Sequence, residues 1–152
     1  MKIEVRLLPG TRPKIVPSFI TLHETDNTDD GADADAHARY LLGADAKNRK
    51  VSWHYTCDKD GCIKHLPGSS RGSHAGAAEG NSKSIGIELC VNGGFLADET
   101  WNNAVELVKA LMVAYGIPAS RVVPHRHWSG KRCPAMILDS GRWDDFIAAI
   151  SG

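Results

Sequence analysis

The segment Ser84 to Val91 (SIGIELCV) constrains the fold more than any other part of the chain. Its alternation places Ile85, Ile87, Leu89 and Val91 on one face and Gly86, Glu88 and Cys90 on the other. A strand that is apolar on one face and small on the other belongs in the middle of a sheet covered on both sides. Glu88 is its only charge. A second strand pattern runs from Ser18 to Thr25, with Ile20 and Leu22 set against Phe19, Thr21 and His23, so that His23 falls near its C-terminal end.

Helical spacing dominates elsewhere. From Asp98 to Tyr115 the apolar residues Trp101, Ala104, Val105, Val108, Leu111, Met112 and Tyr115 recur every three or four positions. Asp98 is expected to cap this helix, and Gly116 with Pro118 to end it. Shorter helices are expected over Asp33 to Leu42 and Arg142 to Ile150. Trp53 to Cys57 and Cys62 to Leu66 flank Asp58-Lys59-Asp60-Gly61, a hairpin signal because Gly61 accepts positive φ. Val122 and Val123 suggest a short last strand, and the Gly- and Ser-rich stretch from Pro67 to Ser84 reads as a long functional loop. With 152 residues and no internal repeat, the chain is expected to form a single α/β (or α+β) domain over 1–152, a central mixed sheet flanked by helices.

Composition removes several classes of function. Lys plus Arg and Asp plus Glu each number 18, so no broad positive field exists for a nucleic acid or an anionic membrane surface. No apolar stretch approaches the roughly 20 residues that span a bilayer, so membrane insertion is excluded. The first residues mix Lys2, Glu4 and Arg6 and lack an apolar signal region, so synthesis in the cytoplasm without a signal peptide is expected. Four cysteines, at 57, 62, 90 and 133, are too few and too irregular for a disulfide scaffold. Cys57 and Cys62 are placed for either a cross-strand disulfide or two free thiols, and cytoplasmic synthesis favours the thiols. Cys90 is expected in the core.

Seven histidines are many for this length, and the densest reactive group is Pro124-His125-Arg126-His127-Trp128-Ser129-Gly130-Lys131-Arg132-Cys133-Pro134. His125 and Cys133 are both zinc-ligand types within one polar loop, but a zinc site needs at least three protein ligands. His23, at a strand end, is the natural third. A lone histidine is more often a hydrogen-bonded structural residue and a lone cysteine a small buried hydrophobe, so spacing alone does not decide.

Five ordered motifs do. Ile20-Thr21-Leu22-His23-Glu24-Thr25, Ser52-Trp53-His54, His74-Ala75-Gly76, Ser84-Ile85-Gly86-Ile87-Glu88, and Val123-Pro124-His125 with Trp128 to Pro134 resemble the zinc-dependent N-acetylmuramoyl-L-alanine amidases. The likeness is strongest to catalytic domains of phage endolysins and Bacillus prophage cell-wall hydrolases, which share their fold with peptidoglycan recognition proteins. It runs from about residue 18 to residue 147.

The resemblance implies Zn²⁺ held by His23, His125 and Cys133, with Glu88 and Lys131 as the catalytic pair. His127 shares the face of His125 if that segment is a strand, which makes a swap conceivable. Two neutral imidazoles and a thiolate leave the zinc centre a formal charge of +1 and an open fourth position. Glu88 would then move the proton and Lys131 stabilise the oxyanion; on residues alone, a simple ion pair between Glu88 and Lys131 or Arg132 is the competing view. Trp53, His74 and Trp128, with Asn81 by position, are candidate contacts to the substrate.

That substrate is bacterial peptidoglycan, cut between the lactyl group of the muramyl sugar and L-alanine of the stem peptide. A monomer acting on the wall after release from the cell is expected, alone or with a wall-binding domain outside this chain. The rival is a non-catalytic peptidoglycan-binding module on the same fold; in such proteins the cysteine ligand is missing, whereas Cys133 is present. One departure from the family is Glu24, where a neutral polar residue is common. Its carboxylate either tunes the site or points to the other face of its strand.

Overall fold

A computed structural model describes all 152 residues. Six strands form one sheet in the order β1-β4-β3-β5-β2-β6: β1 (Ile3–Val5), β2 (Phe19–Glu24), β3 (Tyr55–Asp58), β4 (Gly61–Lys64), β5 (Ser84–Leu89) and β6 (Val122–Pro124). Only the β3–β4 hairpin is antiparallel, so the sheet is mixed. The strand read as central is β5, which pairs in parallel with β2 on one side and β3 on the other.

Alternation along β2 and β5 separates two faces. Ile20, Leu22, Ile85, Ile87 and Leu89 join a core cluster of 18 buried residues beneath α4 (Asp98–Tyr115) and α7 (Trp143–Ser151). Phe146 of α7 is fully buried and meets Trp101 of α4 edge-on at 5.2 Å, and the Arg142 guanidinium lies 4.0 Å from the Trp101 ring centre. On the other face the apolar clusters around α1 (Ala34–Leu41) are small, one of Ala34, Ala38, Ile63 and Cys90 and one of Leu41, Ala46 and Trp53. The hydrophobic driving force therefore lies on the α4 and α7 side, and the opposite face is free to carry polar groups.

The long helix ends as its sequence implies, at Gly116 in the left-handed conformation (φ 64°). Its start differs. Ala97 is the capping residue and makes no side-chain bond, whereas Asp98 is the first helical residue, where its charge favours the positive end of the helix. The expected loop from Pro67 to Ser84 contains a helix, α3 (Ala78–Lys83). Strand β1 and helices α2 (Ala44–Arg49), α5 (Arg126–Ser129) and α6 (Ala135–Asp139) were also not expected, because three to six residues are too few to show a period.

A further correction concerns Cys57 and Cys62, which form a disulfide rather than two free thiols. They face each other in the β3–β4 register, so the hairpin itself brings the sulfurs within bonding reach. Gly61 begins β4 at φ 151°, where a Cβ would stand 2.5 Å from the Lys2 carbonyl oxygen; the turn and the docking of β1 both require glycine there.

Candidate metal centre and active-site cleft

Parallel strands place their C-terminal ends side by side, and ligands of α/β sheets gather beyond those ends. His23, fifth in β2, is in register with Glu88, fifth in β5. On the other side of β2, Leu22 pairs with Pro124 of β6, and the His125 amide donates to the Leu22 carbonyl at 3.2 Å. The chain then turns through α5 and returns with Cys133, whose carbonyl accepts from the Arg126 amide at 3.2 Å.

Three donor atoms converge as a result. His23 Nδ1 lies 3.1 Å from His125 Nδ1 and 3.9 Å from Cys133 Sγ, and all three fall within 4.8 Å of one another. Around a tetrahedral zinc, ordinary bond lengths put two nitrogens about 3.3 Å apart and a nitrogen and a sulfur about 3.6 Å apart. Two imidazoles and a thiol at these separations fit that ion. Burial holds the pKa of His23 well below the usual range and that of His125 below it, so both rings are neutral with a lone pair to offer. Burial, aided by the Glu88 carboxylate, pushes the Cys133 thiol up to about 12. A cation held here by His23, His125 and Cys133 would reverse that preference, and its binding would release the thiol proton.

Glu88 stands beside the cluster, with Oε1 3.9 Å from His23 Nδ1 and Oε2 buried without a hydrogen-bond partner. Burial raises its pKa to about 8 against the opposing pull of Lys131, with Glu24 adding to the rise. No ion pair within 4.0 Å joins Glu88 to Lys131 or Arg132; Arg132 instead pairs with Asp139 at 3.4 Å. Lys131 is exposed on the lip of a cleft of ≈ 550 Å³ that also reaches His23, Glu88, His125 and Cys133.

The other candidates divide. Trp53 lines the cleft, with its indole N–H donating to Thr56 Oγ1 at 2.7 Å. Asn81 also borders the cleft, but its Oδ1 is engaged by the backbone amides of His74 and Ala75 at 2.9 and 2.7 Å, so it shapes the loop. Trp128 does not line the cleft. It packs edge-on against Phe19 and over Gly80, donating to Thr21 Oγ1 at 2.9 Å, and so joins β2 to α3. His74 borders the cleft but sits behind His23, with Nδ1 3.0 Å from His23 Nε2.

Two open alternatives are resolved by the backbone. His127 lies in a helical turn rather than a strand, so its exposed ring turns away from His125 toward Trp128, 4.6 Å between centroids. Glu24 points away from the face that bears His23: its carboxylate accepts from the amides of Met136 and Ile137 at 2.7 and 3.0 Å, at the start of α6. It thereby anchors the segment that follows Cys133. Sequence reasoning missed this role, although strand alternation carried the signal.

A single mixed-sheet domain bearing a His-His-Cys cluster beside a buried carboxylate defines a class, that of α/β domains with an open cleft and a candidate metal site at the strand ends. The chain belongs to the N-acetylmuramoyl-L-alanine amidase family, whose model matches residues 11–136. It is 46% identical over 140 residues to the N-acetylmuramoyl-L-alanine amidase XlyA of Bacillus subtilis (strain 168), covering 91% of this chain and 46% of that protein. The structure of the catalytic domain of XlyA superposes with a TM-score of 0.90 at 41% identity, covering 99% of both chains. A mutant endolysin from Bacillus subtilis matches with a TM-score of 0.90 at 42% identity over 98% of each chain. The chain spans about half the length of the curated relatives it matches.

Proposed function

We propose that this domain is a zinc-dependent hydrolase that cuts the amide bond between the lactyl group of N-acetylmuramic acid and L-alanine in bacterial peptidoglycan, in the service of cell-wall lysis by a phage or prophage endolysin. The observation that carries the reading is the convergence of His23 Nδ1, His125 Nδ1 and Cys133 Sγ beside the unpartnered carboxylate of Glu88, inside one open cleft. The names of the similar proteins support the bond and the setting.

His23, His125 and Cys133 would hold the zinc, which when bound would supply Lewis-acid polarisation of an amide carbonyl and acidify water. The remaining chemistry belongs to the chain. An amide needs a base for the attacking water and an acid for the departing nitrogen, and one group near neutrality can serve both in turn. Glu88, raised to about 8 by burial, is poised for both transfers through its free Oε2. Lys131 on the cleft lip brings positive charge to the oxygen that becomes anionic. Trp53 forms an apolar wall beside the site, suited to a sugar face or an alanyl methyl group. The protein acts as a monomer on the wall, outside the compartment where it is made.

Digestion of purified peptidoglycan by zinc-loaded protein, with and without chelator, tests the reading by mass spectrometry of the new ends. Free L-alanine amino termini that vanish on chelation are expected. Wall that binds the protein yet gains no new ends would make this a recognition module, and new reducing ends would mean that a glycosidic bond is cut instead.

A further inference from the structure

His74 lies outside the three-donor cluster, yet its ring is held more carefully than a space-filling residue requires. His23 turns Nδ1 toward His125 and Cys133, and turns Nε2 toward His74 Nδ1 at 3.0 Å. A neutral imidazole carries one ring proton. If Nδ1 of His23 is to present a lone pair to a metal, its proton sits on Nε2, and His74 Nδ1 must accept it. The proton of His74 itself then lies on its Nε2, which is buried and has no hydrogen-bond partner.

Three separate features hold this ring. Gly86, in the central strand, leaves the space: a Cβ there would stand 2.6 Å from His74 Nδ1. Asn81 grips the loop by accepting both the His74 and Ala75 amides. His54 packs edge-on beneath, 5.7 Å between centroids, and is itself fixed, with Nδ1 accepting from the Gly86 amide at 2.9 Å and Nε2 donating to the Ser70 carbonyl at 2.7 Å. The small residue on the inner face of β5 thus has a specific use.

We propose that His74 is a positioning residue that sets the tautomer and ring orientation of His23, seated by Gly86, Asn81 and His54. The inference rests on reading His23, His125 and Cys133 as metal ligands. Histidine ligands ordinarily pass their second N–H to a carboxylate, a carbonyl or water; here the acceptor is a neutral imidazole that adds no charge to the site.

The test combines zinc affinity, measured by competition with a chromophoric chelator, with ¹⁵N imidazole NMR of the zinc-loaded protein. His74→Phe should weaken zinc binding roughly 10- to 100-fold, the usual effect of losing such a partner. His74→Asn should restore most of it, because its Oδ1 can accept where Nδ1 stood. Gly86→Ala should reproduce the defect without altering either histidine. The NMR spectrum should show a proton on His23 Nε2 and none on His74 Nδ1, and it decides the matter even if His74→Phe fails to fold. A folded His74→Phe protein with wild-type zinc affinity, or a proton on His74 Nδ1, would overturn the role of His74 alone. Wild-type protein that takes up no zinc would overturn the ligand assignment and this inference with it.

Discussion

The two faces of β2 and β5 are made by the same alternation but obey different rules. Toward α4 and α7, Ile20, Leu22, Ile85, Ile87 and Leu89 are all fully buried among apolar neighbours. Toward the cleft, His23, Gly86 and Glu88 sit among imidazoles and a thiol, and three buried polar atoms of cleft-lining residues, Thr25 Oγ1, His74 Nε2 and Glu88 Oε2, have no partner. Unsatisfied buried polar atoms cost stability, and they persist where function uses them. One face therefore holds the fold together, and the other spends part of that stability on a poised site.

Substitutions on each face should part these properties. The largest expected effect is on the cleft side. Glu88→Gln should lower the rate of L-alanine end formation by about 10² to 10⁴, the range for removing a general acid-base group. Zinc content and melting temperature should hold or rise, since a desolvated carboxylate is lost. Retained activity in a digestion assay would remove Glu88 from the chemistry.

Phe146→Ala should do the reverse. Loss of a fully buried ring against Trp101 is expected to cost about 3–5 kcal/mol in denaturant unfolding. Zinc affinity of the remaining folded protein should stay unchanged, and a matching loss of affinity would mean the faces are not separable.

Acid should act through the polar side. Burial lowers His54 and His65 to about 4, so both are neutral in the folded protein, whereas an unfolded histidine titrates near 6.5. Between those values the unfolded chain binds more protons. The stability these residues contribute is thus complete above pH 6.5 and is lost as pH falls toward 4, by about 2 kcal/mol each at pH 5. Unfolding curves from pH 7.5 to 5, with NMR titration of each ring, would show this; either ring titrating near 6.5 in the folded state removes its contribution.

Trp128→Phe is the mildest change. It removes the indole donor to Thr21 and part of the ring packed against Phe19 and Gly80, a loss of about 1–2 kcal/mol with kcat/KM unaltered. A large rise in KM would instead return Trp128 to the substrate groove.

How much of this was legible beforehand depended on the range of the signal. Strands β2 and β5, the helix over Asp98 to Tyr115 and its Gly116 stop follow from periods of two and 3.6 residues, which the chain carries locally. The three converging donors were reached through ordered motifs, since no spacing rule links His23 with residues 102 and 110 positions away. The residues that local patterns left open, or in the case of Cys57 and Cys62 misplaced, are those whose surroundings come from distant segments. Trp128 could line a groove or join the packed interior, and its place beside Thr21 and Gly80 comes from segments far from it in the chain. His127 depended on whether four residues coil, and Cys57 with Cys62 on a register rather than on a compartment.

By itself, then, the sequence determined which residues share a strand face and which strand is central, because alternation is a property of neighbouring residues. It also set the helix boundary at Gly116 and the neutral overall charge. Only the tertiary structure decided that Glu24 anchors α6 rather than tuning the site, that Gly86 makes room for His74, and that His74 lies behind His23. Those outcomes depend on parallel register and loop path, which bring together groups far apart in the chain through packing that no local pattern encodes.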